Sequence, residues 1–396
     1  MNENLSLIRK LICAHGIRLM LLPMRLLLIR RNRVLFESFR GRQYSCNPRY
    51  ISEELKRLAG DRVEIAWNLS NTSDFPELAE AGVRVLRPQT WEFYKYALTA
   101  RVVCVNTYYR PSLPRRRGQF FLRTWHGGGA YKRVGKYEKM PALQRRYIAM
   151  QQEGADLYLS SSRAFTEMTL RDSFGYKGEI LETGMPRNDI LVNGADEKTV
   201  LEVRSALGLQ DGERFVLYAP TYRDDMRARS FALNHEALVK ALTDRFGGTW
   251  RCAYRSHHVT MFLEKGENTS GVIDATHYPD MQKLLLAADV LVTDYSSSMW
   301  DMSLTFKPVF LYCPDLGDYT AGRDFFTDIH SWPFPLAEDN DALAENIKAF
   351  DENTYRARVQ AHHDELGSYE TGHAAHDAAV RIMKACGLSV SKEGEA

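Results

Sequence analysis

Long apolar runs are missing. No uncharged apolar stretch approaches the ~20 residues needed to cross a bilayer, and no small-residue cleavage site follows the apolar N-terminal region. Those absences exclude a spanning helix and an ordinary signal peptide. Cysteine is sparse: Cys13, Cys46, Cys104, Cys252, Cys313 and Cys386 are scattered, with no CxxC pair and no histidine at metal-ligand spacing. A disulfide framework and a zinc module are thereby excluded, and the six read as reduced, buried thiols of a cytoplasmic protein. Charge of one sign is missing too. The 52 Lys and Arg against 50 Asp and Glu leave a net charge of +2, which provides no electrostatic footprint for nucleic acid. There is no internal repeat and no low-complexity tract. What remains is a globular composition, 44% apolar and 26% charged, whose 396 residues predict two domains.

One region departs from the average. In ENLSLIRKLICAHGIRLMLLPMRLLLIRRNR, residues 3 to 33, leucines and isoleucines are punctuated by Arg9, Lys10, Arg18, Arg25, Arg30, Arg31 and Arg33, with Glu3 the sole acid. Arg18 and Arg25 fall two helical turns apart, which predicts a basic amphipathic helix lying on an anionic membrane surface. A helix packed on the protein's own surface is the alternative.

From residue 34 onward, short β-branched and aromatic runs alternate with helix-length periodic segments. The runs are VLFESF, VEIAWN, VRVL, RVVCV, QFFLRTW, DLYLS and EILETG, then, past a charged helix near 196 to 207, FVLYAP, WRCAYRS, GVIDA, VLVTDY and PVFLYCP. Such alternation predicts an α/β protein of two Rossmann-like halves with parallel sheets, a boundary near residue 205 and a helical tail from 340. Ligands of such folds bind beyond the carboxyl ends of strands, here in the cleft between the halves.

Several strand ends carry unusual polar content. TDYSSSMWD sets Asp294, Ser296, Ser297 and Ser298 at a helix start that continues to Asp301, an arrangement suited to phosphate; plain capping by one serine is the alternative. Arg187, Arg223, Arg255, His257 and His258 also follow strands, and converging guanidiniums suit a diphosphate. In TWHGGG, three glycines let backbone approach a ligand next to His126. No GxSxG elbow accompanies it, which excludes the esterase reading, and the spacing of Gly129, Gly135 and Lys136 does not make a Walker A loop. A neutral histidine serving as base is left, against a core histidine satisfied by backbone. The DxD-like triplet Asp339 to Asp341 reads as a helix start.

Taken together, WHGGG, GMPRNDIL, YAPTYRDD, the R-S-H of Arg255 to His257 and HYPDMQKLLLAADVLVTDYSSSMWDMSLTFKPVFLY resemble the CDP-glycerol glycerophosphotransferase family, over residues 34 to 325. The resemblance implies a GT-B-like fold and transfer of glycerol phosphate from CDP-glycerol to a hydroxyl of a lipid-linked or polymeric acceptor, releasing CMP, in teichoic acid synthesis. It implies no cofactor and no metal, and peripheral attachment to the cytoplasmic face of the membrane; a homo-oligomer is left open. His126 and His257 match the family's two key histidines, with His126 the base. Substrate binding is carried to Gly127, Gly128, Pro186, Arg187, Asn188, Asp189, Thr221, Arg223, Arg255, Asp294, Ser296, Ser297 and Asp301. Residues 1–33 become the membrane segment, 34–205 the acceptor domain and 206–396 the donor domain with its tail. A CDP-ribitol donor, or a nucleotide sugar on the same fold, are the alternatives. The sequence departs from the family pattern at Gly128 and Gly129, where Thr and Pro are usual, and at Tyr222 and His258.

Overall fold

A computed structural model describes residues 3–71, 75–138, 140–152, 154–194, 197–221, 233–256, 271–322 and 324–389. The first half contributes β1 (Arg30–Glu37), β2 (Glu64–Asn68), β3 (Arg84–Leu86), β4 (Ala100–Val105), β5 (Phe120–Arg123), β6 (Leu157–Ser160) and β7 (Glu179–Glu182). The second contributes β8 (Glu213–Tyr218), β9 (Thr249–Tyr254), β10 (Val272–Asp274), β11 (Val290–Thr293), β12 (Val309–Tyr312) and β13 (Leu336–Ala337). All twelve apolar runs predicted from sequence become strands; β13, only two residues long, has no periodicity to read. The strands run parallel in two sheets, ordered β3-β2-β1-β4-β5-β6-β7 and β10-β9-β8-β11-β12-β13.

Both orders reverse direction beside the first strand of the half, between β1 and β4 and between β8 and β11. There the carboxyl ends open a crevice, because the connections leave toward opposite sides of the sheet. Burial on both faces explains the apolar runs: Val34, Leu35 and Phe36 of β1 and Phe215, Val216 and Leu217 of β8 are all essentially inaccessible.

The last helix, Ala374–Cys386, crosses back to the first sheet. Its Ala378, Ala379, Ile382 and Met383 share one core with Val34, Phe36, Ile51, Trp67 and Val102. The helix Asn340–Lys348 remains with the second half, capped by Asp339, whose carboxylate accepts from the Ala342 amide at 2.7 Å.

At the N-terminus a helix spans Glu3–Met20, followed by a 3-10 turn at Leu22–Leu26. The break at Leu21 means that Arg18 and Arg25 do not share one helical face, contrary to the sequence reading. Arg18 turns inward and donates from Nε to the Pro111 carbonyl at 2.6 Å, while Arg33 is buried, held by Glu64 and Thr99. Ala14, Leu21 and Met24 face the protein, yet Leu5, Ile8, Ile12 and Leu19 form an opposite face that stays exposed. Leu26 and Leu28 are 87% and 86% exposed, the highest among the exposed large apolar residues of the described chain, most of which lie in this N-terminal region. Of the cysteines expected to be buried, Cys13 is exposed on this helix.

Candidate active site

β5 delivers His126 to the cleft through a bend. Trp125 takes a left-handed conformation, φ +57°, which turns the chain sharply off the end of the strand. The His126 ring then lies between Phe39, edge-on at 5.6 Å, and Trp125, at 4.5 Å. Its Nδ1 donates to the backbone carbonyl of Asn106, just past β4, at 2.9 Å. That bond selects the tautomer in which Nε2 carries the lone pair. Desolvation, reinforced by the Arg187 and Lys132 charges and opposed by the Asn106 bond, pushes the imidazole pKa down to about 4. At pH 7 the ring is therefore neutral and can accept a proton.

Opposite, β11 ends in Asp294 and the serines. Ser298 donates to Ser296 through its hydroxyl at 3.0 Å, and Ser297 stands at the start of the short helix Ser298–Ser303 with its hydroxyl making no cap bond. Arg255, just past β9, is held by Nη1 donating to the carbonyls of Ala275 and Tyr278, at 3.0 and 2.6 Å. Burial lowers its pKa to about 10, so it keeps its charge at neutral pH. His126, Arg255, Ser296, Ser297 and Ser298 line one cavity, whose remaining walls include Phe39, Gln43, Ser45 and Cys46 from the first half. A neutral imidazole and a set of serine hydroxyls with a guanidinium thus face one another across the two switch points.

Other residues singled out from sequence are engaged in contacts within the protein. Arg187 grips Asp301 with two hydrogen bonds of 3.0 Å, one from Nε and one from Nη2, and Asp301 also accepts from Gln282. Both members are buried, at 2% and 4% exposure, although they reach the cavity wall. They form an ion-paired strut between the halves. Asp189 caps the last helix, accepting from the Ala374 and Ala375 amides at 3.0 and 2.7 Å. Pro186 opens the 3-10 turn Pro186–Asn188, and Asn188 donates to Glu370. Asp294 accepts from the amide and hydroxyl of Thr221, tying the end of β11 to the loop after β8. Gly127 lies under the Trp125 indole and Gly128 against Trp300. Arg223, His257 and His258, with Tyr222, lie outside the described residues.

Three contributors escaped the sequence reading. Asn106 acts through its backbone oxygen, which no motif encodes, although its place just past a strand beside the switch point is a usable signal. Asp280 joins the halves by accepting from the Tyr50 hydroxyl at 2.9 Å and pairing with Arg49 at 3.3 Å. Glu370 takes the Trp300 indole N–H and the Met185 amide, and burial pushes its carboxyl up to about 7.

Comparison with known proteins bears on the family and the fold. The family described as CDP-Glycerol:Poly(glycerophosphate) glycerophosphotransferase is matched over residues 19–384. A teichoic acid poly(glycerol phosphate) polymerase of Staphylococcus epidermidis is 28% identical over 86% of this chain and 49% of its own length. A teichoic acid glycerol-phosphate transferase of Staphylococcus aureus is 27% identical over 89% of this chain and 93% of its own. The chain spans about half the length of the first two polymerases it matches. A solved structure of the wall teichoic acid polymerase TagF superposes with a TM-score of 0.82 at 26% identity, covering 97% of this chain and 96% of that one. The fold is therefore GT-B-like, two Rossmann-like halves facing a cleft. A match running almost from end to end of the sequence, on a fold that superposes as fully, means that the chain belongs to the CDP-glycerol:poly(glycerophosphate) glycerophosphotransferase family.

Proposed function

We propose that the chain transfers glycerol phosphate from CDP-glycerol to a hydroxyl of a lipid-linked or polymeric acceptor, releasing CMP. The observation that carries this is the neutral His126, with Nε2 uncommitted among the described residues, in one cavity with Ser296, Ser297 and Arg255. In this reading the acceptor oxygen attacks the phosphorus that bears glycerol, its proton passes to His126 Nε2, and the bond to the departing CMP oxygen breaks. Arg255 meets charge building on the leaving phosphate, the electrostatic share of phosphoryl transfer. Arg223 and His257, which also follow strands in the sequence, share that role in this reading. The first half takes the acceptor and the second half the donor.

Incubation with CDP-glycerol, CDP-ribitol and nucleotide sugars, assaying the nucleotide released and the label in the acceptor, tests the reading. Release of CMP from CDP-glycerol with label in polymer is the expected result; consumption of a nucleotide sugar alone would overturn it. A teichoic acid ribitol-phosphate primase of Bacillus spizizenii is 27% identical, so the CDP-ribitol arm bears directly on donor choice.

The donor assignment has its own test. Ser297→Ala should weaken CDP-glycerol or CMP binding by about 10- to 100-fold in calorimetry, the worth of one hydrogen bond to a charged group. Unchanged affinity in both Ser296→Ala and Ser297→Ala would remove the serines from the phosphate site.

The N-terminal surface supports attachment to the membrane in this reading. No described helix is long and apolar enough to cross a membrane. The exposed face of Leu5, Ile8, Ile12 and Leu19, continued by Leu22, Leu26 and Leu28, is accompanied by exposed Arg25, Arg30 and Arg31. Apolar side chains beside cations suit an anionic interface, where each buried leucine contributes about 1.5–3 kcal/mol. The variant Leu26→Glu/Leu28→Glu should therefore lose sedimentation with phosphatidylglycerol vesicles at moderate salt while remaining folded. Sedimentation at the unaltered level would move the anchor elsewhere.

A further inference from the structure

The loop that carries His126 runs directly beneath a tryptophan of the other half. A Cβ built on Gly128 would lie 2.7 Å from Cδ1 of Trp300, and one on Gly129, where φ is +73°, would lie 3.0 Å from Cε3 of the same ring and collide with Tyr131. Contacts this short do not survive in packed interiors, so either substitution must displace the loop or the indole.

The indole has little room to yield. It is completely buried, and its Nε1 donates to Glu370 Oε1 at 3.0 Å. Glu370 is itself held by the Met185 amide at 2.9 Å and by Asn188 at 3.0 Å, both from the first half. The ring edge meets His363 at 5.1 Å. Trp300 belongs to the short helix Ser298–Ser303 that begins at Ser297. One rigid side chain therefore touches the backbone next to the base, stands on the helix that follows the donor serines, and is anchored by a carboxylate.

We propose that Trp300 is a positioning residue for the transfer: its indole sets the separation between His126 and Ser296/Ser297, and Gly128 is the point at which that separation is gauged. The proposal rests on the transferase reading above. A methyl group at residue 128 would wedge the two loops apart at the Trp300 indole. Misplacement of reacting groups by about 1 Å costs about 100-fold in rate.

The test is a double-mutant cycle on the full chain, read as kcat with the donor that the wild type consumes, and as donor affinity by calorimetry. Gly128→Ala should lower kcat by about 10- to 100-fold and change donor affinity by less than about threefold, because the serines and Arg255 stay in place. In a Trp300→Ala background the same change should cost less than about threefold, since nothing remains to be wedged. Should Trp300→Ala not fold, Trp300→Phe frees the ring from Glu370 and is expected to reduce the penalty by at least about threefold. A penalty of equal size in both backgrounds, or wild-type turnover by Gly128→Ala, overturns the proposal. Rates are compared on whichever donor is used, so failure of the CDP-glycerol reading is a separate result from failure of this one.

Discussion

Replacing His126 with alanine should lower the rate of CMP release by roughly 100- to 10,000-fold, the usual worth of a positioned base, while CDP-glycerol binds nearly as before. The donor contacts survive because Ser296, Ser297 and Arg255 are positioned by their own half: Arg255 by carbonyls past β10, the serines by the end of β11. A histidine that merely packed the core would behave otherwise, with binding, turnover and melting temperature falling together. The pH profile carries further information. The imidazole is neutral above about 4 and protonated below it, so kcat/KM should rise with pH through about 4 and run level across the neutral range. An inflection near the unperturbed value of about 6.5 would mean that the ring is not desolvated as described. Near-normal turnover by His126→Ala would remove the base assignment altogether.

Asp301→Ala should destabilise the protein by about 3–5 kcal/mol in urea unfolding, since it leaves the Arg187 guanidinium charged, buried and unpaired. Arg187 gives both hydrogen bonds of its fork to this one carboxylate, and the further hydrogen-bond acceptor its side chain meets among the described residues, Cys46 Sγ at 3.8 Å, is too weak to compensate. Replacing both members by apolar residues of similar bulk, Arg187→Met/Asp301→Leu, should recover most of the loss. Loss of less than about 1 kcal/mol in Asp301→Ala would mean that the arginine finds solvent or another anion, and that the strut does not hold the halves.

Much of the fold was legible because a parallel sheet covered on both faces writes each strand as an unbroken apolar run, as VLFESF and VLVTDY illustrate. The return of Ala374–Cys386 to the first sheet was not, because an amphipathic helix reads the same whichever sheet it covers. In the site, residues immediately past a strand were legible: His126, Arg255 and the serines face one cavity, as ligand binding at carboxyl ends requires. The pairing of Arg187 with Asp301 was not legible, since an arginine that grips a phosphate and one that grips an aspartate 114 residues away are indistinguishable in sequence. Asn106 contributes a carbonyl oxygen that every residue possesses. Gly128 and Gly129, which depart from the family pattern, lie against Trp300, and Gly129 against Tyr131 as well, neighbours that the sequence does not announce.

Because the helix Ala374–Cys386 completes the core around β1 and β2, the first half cannot close as it leaves the ribosome. Its sheet, with Trp67 and Val102 still uncovered on that face, must wait while the whole second half is synthesised. A nascent chain in that state presents exposed apolar strands for tens of seconds at ordinary elongation rates, the circumstance in which chaperone holding matters. The two halves are then assembled as one unit, the first secured by a helix that follows the whole of the second.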